Sequence, residues 1–251
     1  MMETTRRTGE GGAEVRAPAT DEGARGRFDR IYDTLRMRIC LLEYQPLERL
    51  REEDLAAEFK VSRTPIRRVL VKLEAEGLLR SVHGVGTIVT DIDIHELEQV
   101  YQLRVELAEL IGKLAPVAPD AARLQAFRNA LSRCAILVVK PEPRAFSRLN
   151  MDFFHLLNGL TANEPLREIS EQLYYQTTRI WLKTASTFDR YSQVLHEEIG
   201  IFHREVSDIV AAIEIGDLVS VGHIRRAHIA MSFARLRAQS SRQSPVARPA
   251  T

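Results

Sequence analysis

The stretch Val61-Ser62-Arg63-Thr64-Pro65-Ile66-Arg67-Arg68, continued by Val69, Leu70 and Leu73, constrains this chain more than any other. Thr64 has the side chain of a helix N-cap. Pro65 then falls at the first helical position, where its missing N–H costs nothing. Ile66, Val69, Leu70 and Leu73 recur at i, i+3, i+4 and i+7, which makes one buried helical face. Arg63, Thr64, Arg67, Arg68 and Lys72 fall on the opposite face. Between Lys60 and His83, six Lys and Arg stand against two acids, Glu74 and Glu76. The whole chain of 251 residues carries a net charge of only +1. Its basicity is therefore local, concentrated on one short capped helix.

The neighbouring segments give that helix a context. Ile31, Leu35, Ile39 and Leu42 repeat at helical spacing, so residues 28–42 read as an amphipathic helix, broken by Tyr44-Gln45-Pro46. A second helix is expected from Glu52 to Phe59, with Leu55, Ala56 and Phe59 inward. Glu52, Glu53 and Asp54 occupy its first turn, where the helix dipole favours acids. After Gly77, two β-prone runs, Leu78 to Val82 and Thr87 to Thr90, flank His83-Gly84-Val85-Gly86 and read as a hairpin. Helix, helix, helix, hairpin is the order of a winged helix-turn-helix. In that arrangement the third helix enters the major groove. Arg63, Arg67 and Arg68 can present their planar forks to guanine edges. The hydroxyls of Ser62 and Thr64 suit phosphate oxygens. Arg49 and Arg51, ahead of the second helix, are candidate phosphate clamps, and His83 with Gly84 forms the wing tip. The charges alone could equally mark a solvated face. The cap, the proline, the spacing and the hairpin together favour DNA.

These pieces resemble a known family. Leu50-Arg51-Glu52-Glu53-Asp54-Leu55-Ala56, the Val61 to Arg67 run and Leu73-Glu74-Ala75-Glu76-Gly77-Leu78 are similar to the DNA-binding half of GntR-family regulators. The resemblance covers residues 28–90. It implies a homodimer on a short palindromic operator, with Arg51, Arg63, Thr64, Arg67 and the His83/Gly84 tip as contact positions. Arg68 stands where relatives carry an acid, which adds positive charge at the DNA face.

Residues 91–238 read as helix after helix, over 97–114, 119–139, 143–161, 164–186, 191–215 and 217–238. The fold expected is mainly α: a winged helix-turn-helix followed by an all-helical effector and dimerisation domain. Residues 1–27 and 239–251 read as a disordered leader and a flexible tail. In the first of these helices Leu97, Val100, Leu107, Ile111 and Leu114 form a stripe, and Arg104 falls inside it. A charge on a buried face must be paired. Either an internal acid satisfies Arg104 or a ligand carboxylate or phosphate does. The last helix directs Val221, Ile224, His228 and Met231 inward.

This half resembles the FCD subgroup of the same family, through Glu96 to Arg104, Leu149-Asn150 to Phe153 with Asn163 after it, Ala212-Ile213 to Gly216-Asp217, and Arg226-Ala227-His228. The resemblance implies a site for small organic acids, often built on a metal held by one Asp and three His. Position by position, Asn150 occupies the acid position, Phe154 the first His position and Val206 the second, and His228 alone matches. Asn, Phe and Val do not make a divalent site. The expectation is a pocket without a tightly bound metal, more apolar than in relatives, formed by Arg104, Asn150, Phe154, Val206 and His228. Were a metal held nonetheless, His228, His155, His203 and Asp152 are the residues available.

Other functions find less support. His196-Glu197-Glu198 lacks a second His at metalloprotease spacing, and Gly84-Val85-Gly86 is neither a P-loop nor a dinucleotide fingerprint. No nucleophile, base and orienting group assemble, so an enzyme is not expected. A DNA-binding dimer whose helical half has lost its sensor is the competing reading. The longest apolar run, Cys134 to Val139, is far too short to span a bilayer. Cys40 and Cys134 lack metal-site spacing and are too few for a disulfide framework, so a reducing cytoplasm is the expected compartment.

Overall fold

The computed structural model describes residues 23–91, 93, 96–185 and 191–243. The N-terminal unit consists of α1 (Ala24–Cys40), β1 (Arg49–Leu50), α2 (Glu52–Phe59), α3 (Arg63–Ala75), β2 (Leu79–Val82) and β3 (Gly86–Val89). Ile31, Leu35 and Ile39 of α1 meet Leu55 of α2 and Ile66, Val69, Leu70 and Leu73 of α3 in one core. Lys60 closes α2 in the left-handed region at φ 54°, and the chain turns directly into α3. Helix α3 starts one residue before the expected cap: Ser62 holds the N-cap position and makes no side-chain cap bond. Pro65 is still tolerated, because the first turn leaves its N–H groups without helical partners in any case.

The wing forms as the hairpin pattern requires. Val85 N–H bonds Val82 O at 3.0 Å, and Gly84 supplies the positive φ of 75° that the turn demands. The sheet has a third strand that alternation could not reveal. Two-residue β1 pairs antiparallel with β3, Arg49 opposite Ile88, in the order β1-β3-β2. A strand that short carries no periodic signal.

The C-terminal unit is helical throughout: α4 (Glu98–Leu110), α5 (Ala121–Val139), α6 (Pro143–Asn158), α7 (Glu164–Thr178), α8 (Ile180–Ala185), α9 (Tyr191–Glu214) and α10 (Leu218–Gln243). Its main core joins α5, α6 and α9, where Phe153 meets Phe127 and Phe202 edge-on at 5.8 and 5.5 Å between ring centres. Helix α4 lies against α10, and Tyr101 stacks on Phe233 at 4.3 Å.

Several boundaries differ from the periodic reading. The expected helix over 164–186 breaks at Arg179 into α7 and α8. Helix α4 ends at Leu110, and Leu114, expected inward, is 40 % exposed. Met231 is 54 % exposed, because the inward face of α10 is Val221, Arg225, Ile229, Ser232 and Leu236. Helix α1 begins at Ala24, inside the expected leader, and α10 runs five residues into the expected tail, to Gln243. The rest of both tails, 1–22 and 244–251, lies outside the described residues.

The two units share packing. Met151 and Phe154 of α6 and Tyr174 and Tyr175 of α7 join the core of the winged helix. Arg36 of α1 lies between the rings of Tyr32 and Tyr175, 4.6 and 4.2 Å from their centres, and pairs with Glu171 at 3.0 Å.

Candidate DNA interface and effector cavity

Arg49, Arg51, Ser62, Arg63, Thr64, Arg67, Arg68, His83 and Gly84 are all exposed on the winged helix. They divide by neighbour. Arg67 forms a two-pronged pair with Glu52 at 3.0 and 2.8 Å, and Arg63 pairs with Glu53 at 2.8 Å. The Arg67 guanidinium holds the Glu52 carboxyl below its ordinary range. The acids of the first turn of α2 thus pair with two of the exposed arginines of α3. Exposed pairs of this kind contribute little to stability. Arg68 and Lys72 turn toward α1 instead, 5.4 and 5.9 Å from the Phe28 ring centre. The guanidinium of Arg49 comes 3.3 Å from the point where a Cβ on Gly86 would sit, so it lies against the wing.

In the helical unit, Arg104 lies on the face of α4 that carries Tyr101 and Ala108 and opens into a cavity of about 60 Å³. That is room for roughly four waters. The walls include Tyr101, Asn150, Thr177, Arg225, His228 and Ser232. A second, apolar hollow of about 20 Å³ touches Arg104 and Arg225 from the other side and is walled by Phe154, Leu107 and Leu157. The larger chamber mixes polar and apolar groups, with Arg104, Asn150 and His228 together among its polar ones, and the smaller hollow is an apolar annex. Phe154 contributes there, stacked on Tyr174 at 3.9 Å. Val206 does not line either chamber. It is fully buried in the α5–α6–α9 core, one residue away from the position that faces inward to α10.

That position is Glu205. It is buried beside Arg225, 2.8 Å away, and its other oxygen lies 3.1 Å from His228 Nδ1. Burial pushes the Glu205 carboxyl up, against the pull of Arg225. Burial, followed by the charges of Arg225, Arg235 and Arg104, holds His228 well below the ordinary imidazole range, so the ring is neutral. Arg104 donates to Thr177 Oγ1 and lies 5.2 and 5.3 Å from the ring centres of Tyr101 and Tyr174. Burial lowers its pKa, as does the like charge of Arg225, yet a guanidinium stays charged. Among the described residues no carboxylate forms an ion pair with Arg104. Glu205 and Arg225 escaped the periodic reading, although the argument applied to Arg104 reaches them. Each is a charge within an apolar face, Glu205 after Phe202 and before Ile209, Arg225 between Val221 and Ile229.

Profiles of known families match both halves. The profile of bacterial regulatory proteins of the gntR family matches residues 28–89, and the FCD domain matches residues 99–231, by itself more than half the chain. The chain belongs to the GntR family. Within it, the Nta operon transcriptional regulator of Aminobacter aminovorans is 30 % identical over 162 residues, covering 61 % of this chain and 73 % of that one. The uncharacterised regulator YdhC of Bacillus subtilis is 28 % identical over 145 residues, 57 % of this chain, and the match spans only 65 % of YdhC. The Escherichia coli structure McbR/YncC has the same fold, with a TM-score of 0.70 at 20 % identity, over 85 % of this chain and 98 % of that one. This GntR protein is a transcriptional regulator with a DNA-binding winged helix, not an enzyme. No helix among the described residues is long and apolar enough to cross a membrane.

The residues of this FCD domain do not fit the metal its subgroup often holds. No group of three or more His, Cys, Asp or Glu converges among the described residues. The fallback ligands are dispersed. His155 is exposed and bonds Tyr175 Oη at 2.7 Å, Asp152 pairs with Arg133 at 2.7 Å, and His203 is not part of the cavity wall. Asn150 and His228 do share the cavity, but an amide and one imidazole are too few donors.

Proposed function

We propose that this regulator is a homodimer that reads a palindromic operator through α3 and the wing, and that its helical domain senses a small carboxylic acid in the cavity around Arg104. A reducing cytoplasm is the compartment consistent with this role. Arg104 carries the effector reading. Two guanidiniums, Arg104 and Arg225, line a chamber with no carboxylate among its described lining residues, and Glu205 behind it is committed to Arg225 at 2.8 Å. With His228 neutral, the site has one positive charge to spare, which an anion would neutralise through a charge-assisted, two-pronged bond. Asn150 and Ser232 also line the cavity and can take its remaining polar atoms. The limited volume selects short acids over long acyl chains.

Calorimetric titration of the full-length protein with a panel of short mono- and dicarboxylates tests this. Binding by wild type and a loss of about thirtyfold or more in Arg104→Met is expected. Wild type that binds operator but no acid would favour the competing reading, a helical half that only dimerises.

For the DNA interface, Arg67→Ala should weaken binding to a duplex selected by the wild-type protein by about ten- to a hundredfold. Glu52→Gln should strengthen it, because it releases Arg67 and removes a negative charge near the phosphates. A gel-shift series at two salt concentrations reads both. Unchanged affinity in Arg67→Ala would remove α3 from the interface.

A further inference from the structure

The break at Arg179 lies between the cavity and the winged helix. Thr177 and Thr178 end α7 and line the cavity, and Thr177 Oγ1 accepts the Arg104 bond. The next residue, Arg179, faces the other way and is only 1 % exposed. Its Nη1 donates to Thr90 O at 3.0 Å and its Nη2 to Thr90 Oγ1 at 2.8 Å. Its Nε is buried without a partner. Thr90 follows β3, the last strand of the wing. Its hydroxyl bonds Gly77 O at 2.9 Å and its N–H bonds Leu78 O at 3.1 Å. Leu78 in turn donates to Leu73 O at the end of α3.

A buried guanidinium with one N–H unsatisfied is costly to keep. The helix interruption at the same residue also sacrifices continuity of the α7 ladder. Both costs fall where two residues that line the cavity, Thr177 and Thr178, are followed at once by one that bonds the residue after the wing, Thr90.

We propose that Arg179 is a positioning residue that couples the cavity to the winged helix: it fastens the α7–α8 turn to Thr90, so a change at Thr177 shifts the seat of α3 and the wing. The proposal rests on the cavity being the effector site. An acid that takes over Arg104 releases Thr177, and the turn carries that release through Arg179 to Thr90. The Lys183–Asp91 pair, 2.5 Å, flanks the same junction and keeps α8 beside the strand exit.

Hydrogen exchange of the full-length, ligand-free protein tests the coupling without an effector. The variants are Thr177→Val on the cavity side, Thr90→Val and Arg179→Lys on the wing side, Thr90→Ser as the conservative control, and the Thr177→Val/Thr90→Val double. Thr177→Val is expected to speed exchange of the amides of residues 76–79 and 87–90 by about threefold or more. The double variant should exchange no faster than the quicker single, and Thr90→Ser should match wild type. Wild-type rates at both segments in Thr177→Val would overturn the proposal, as would single effects that multiply in the double. Should Arg179→Lys fail to fold, the Thr90 and Thr177 variants decide alone. Failure of acid binding in calorimetry would refute the effector reading and leave this exchange result standing, so the two are separable.

Discussion

Glu205→Ala is expected to cost about 3–5 kcal/mol of folding stability, the range for removing one partner of a buried ion pair. Glu205 and Arg225 are 4 % exposed each and meet at 2.8 Å between α9 and α10. Without the carboxylate, Arg225 and Arg104 remain as like charges at one small chamber, and His228 loses its acidic neighbour. For a chain of this size the loss corresponds to a fall in Tm of about 6–20 °C. Glu205→Gln keeps the shape and an acceptor oxygen and should lose less. The double variant Glu205→Leu/Arg225→Met, which removes both charges, should recover most of the loss, because the cost arises from a stranded charge. Scanning calorimetry of the four proteins checks the order. A Tm for Glu205→Ala within about 2 °C of wild type would mean that water reaches Arg225 freely.

The second large effect is steric. Gly112, just beyond α4, approaches α10 so closely that a Cβ would lie 2.0 Å from Leu218 O and 2.9 Å from Val219 Cα. Gly222 of α10 makes the reciprocal approach, with a Cβ position 2.6 Å from Glu109 O. In both cases the obstacle is backbone, which no rotamer change can clear. Gly112→Val must therefore separate α4 from α10, at a cost of about 1–3 kcal/mol or more. The consequences reach the cavity, since α4 carries Arg104 and α10 carries Arg225 and His228. Acid binding should weaken together with stability. Gly200→Ala is the control. Gly200 lies within α9 with nothing within 4 Å of its Cβ position, and the change should stabilise by up to about 1 kcal/mol. Urea unfolding of the three proteins gives the comparison. Equal midpoints for Gly112→Val and wild type would show that the two helices slide apart without penalty.

The winged helix was legible in the amino-acid order because its determinants are local. The faces of α1, α2 and α3 follow from spacing within a few turns, and the wing turn from one glycine that can take positive φ. The exposure of Arg63, Arg67, His83 and Gly84 follows from the same local pattern. The helical half was legible as helices but less so as a site. Arg104 in an apolar stripe announced that a buried charge needed compensation, yet periodicity names no partner. That partner depends on residues seventy or more positions away, such as Thr177 on α7. The same limit explains Val206. A one-residue difference in helical phase decides whether Val206 or Glu205 faces α10, and an apolar stripe on a helix packed on several sides spans both. Helix breaks such as Arg179 were also invisible, because a buried arginine bonding a distant threonine leaves no mark on local propensity. Sequence by itself determined the helices and hairpin of the winged helix, the all-helical character of the second half and the presence of an unbalanced charge there. Only the tertiary structure decided which groups balance it, because buried electrostatics is settled by distances between helices and periodicity reports on one helix at a time.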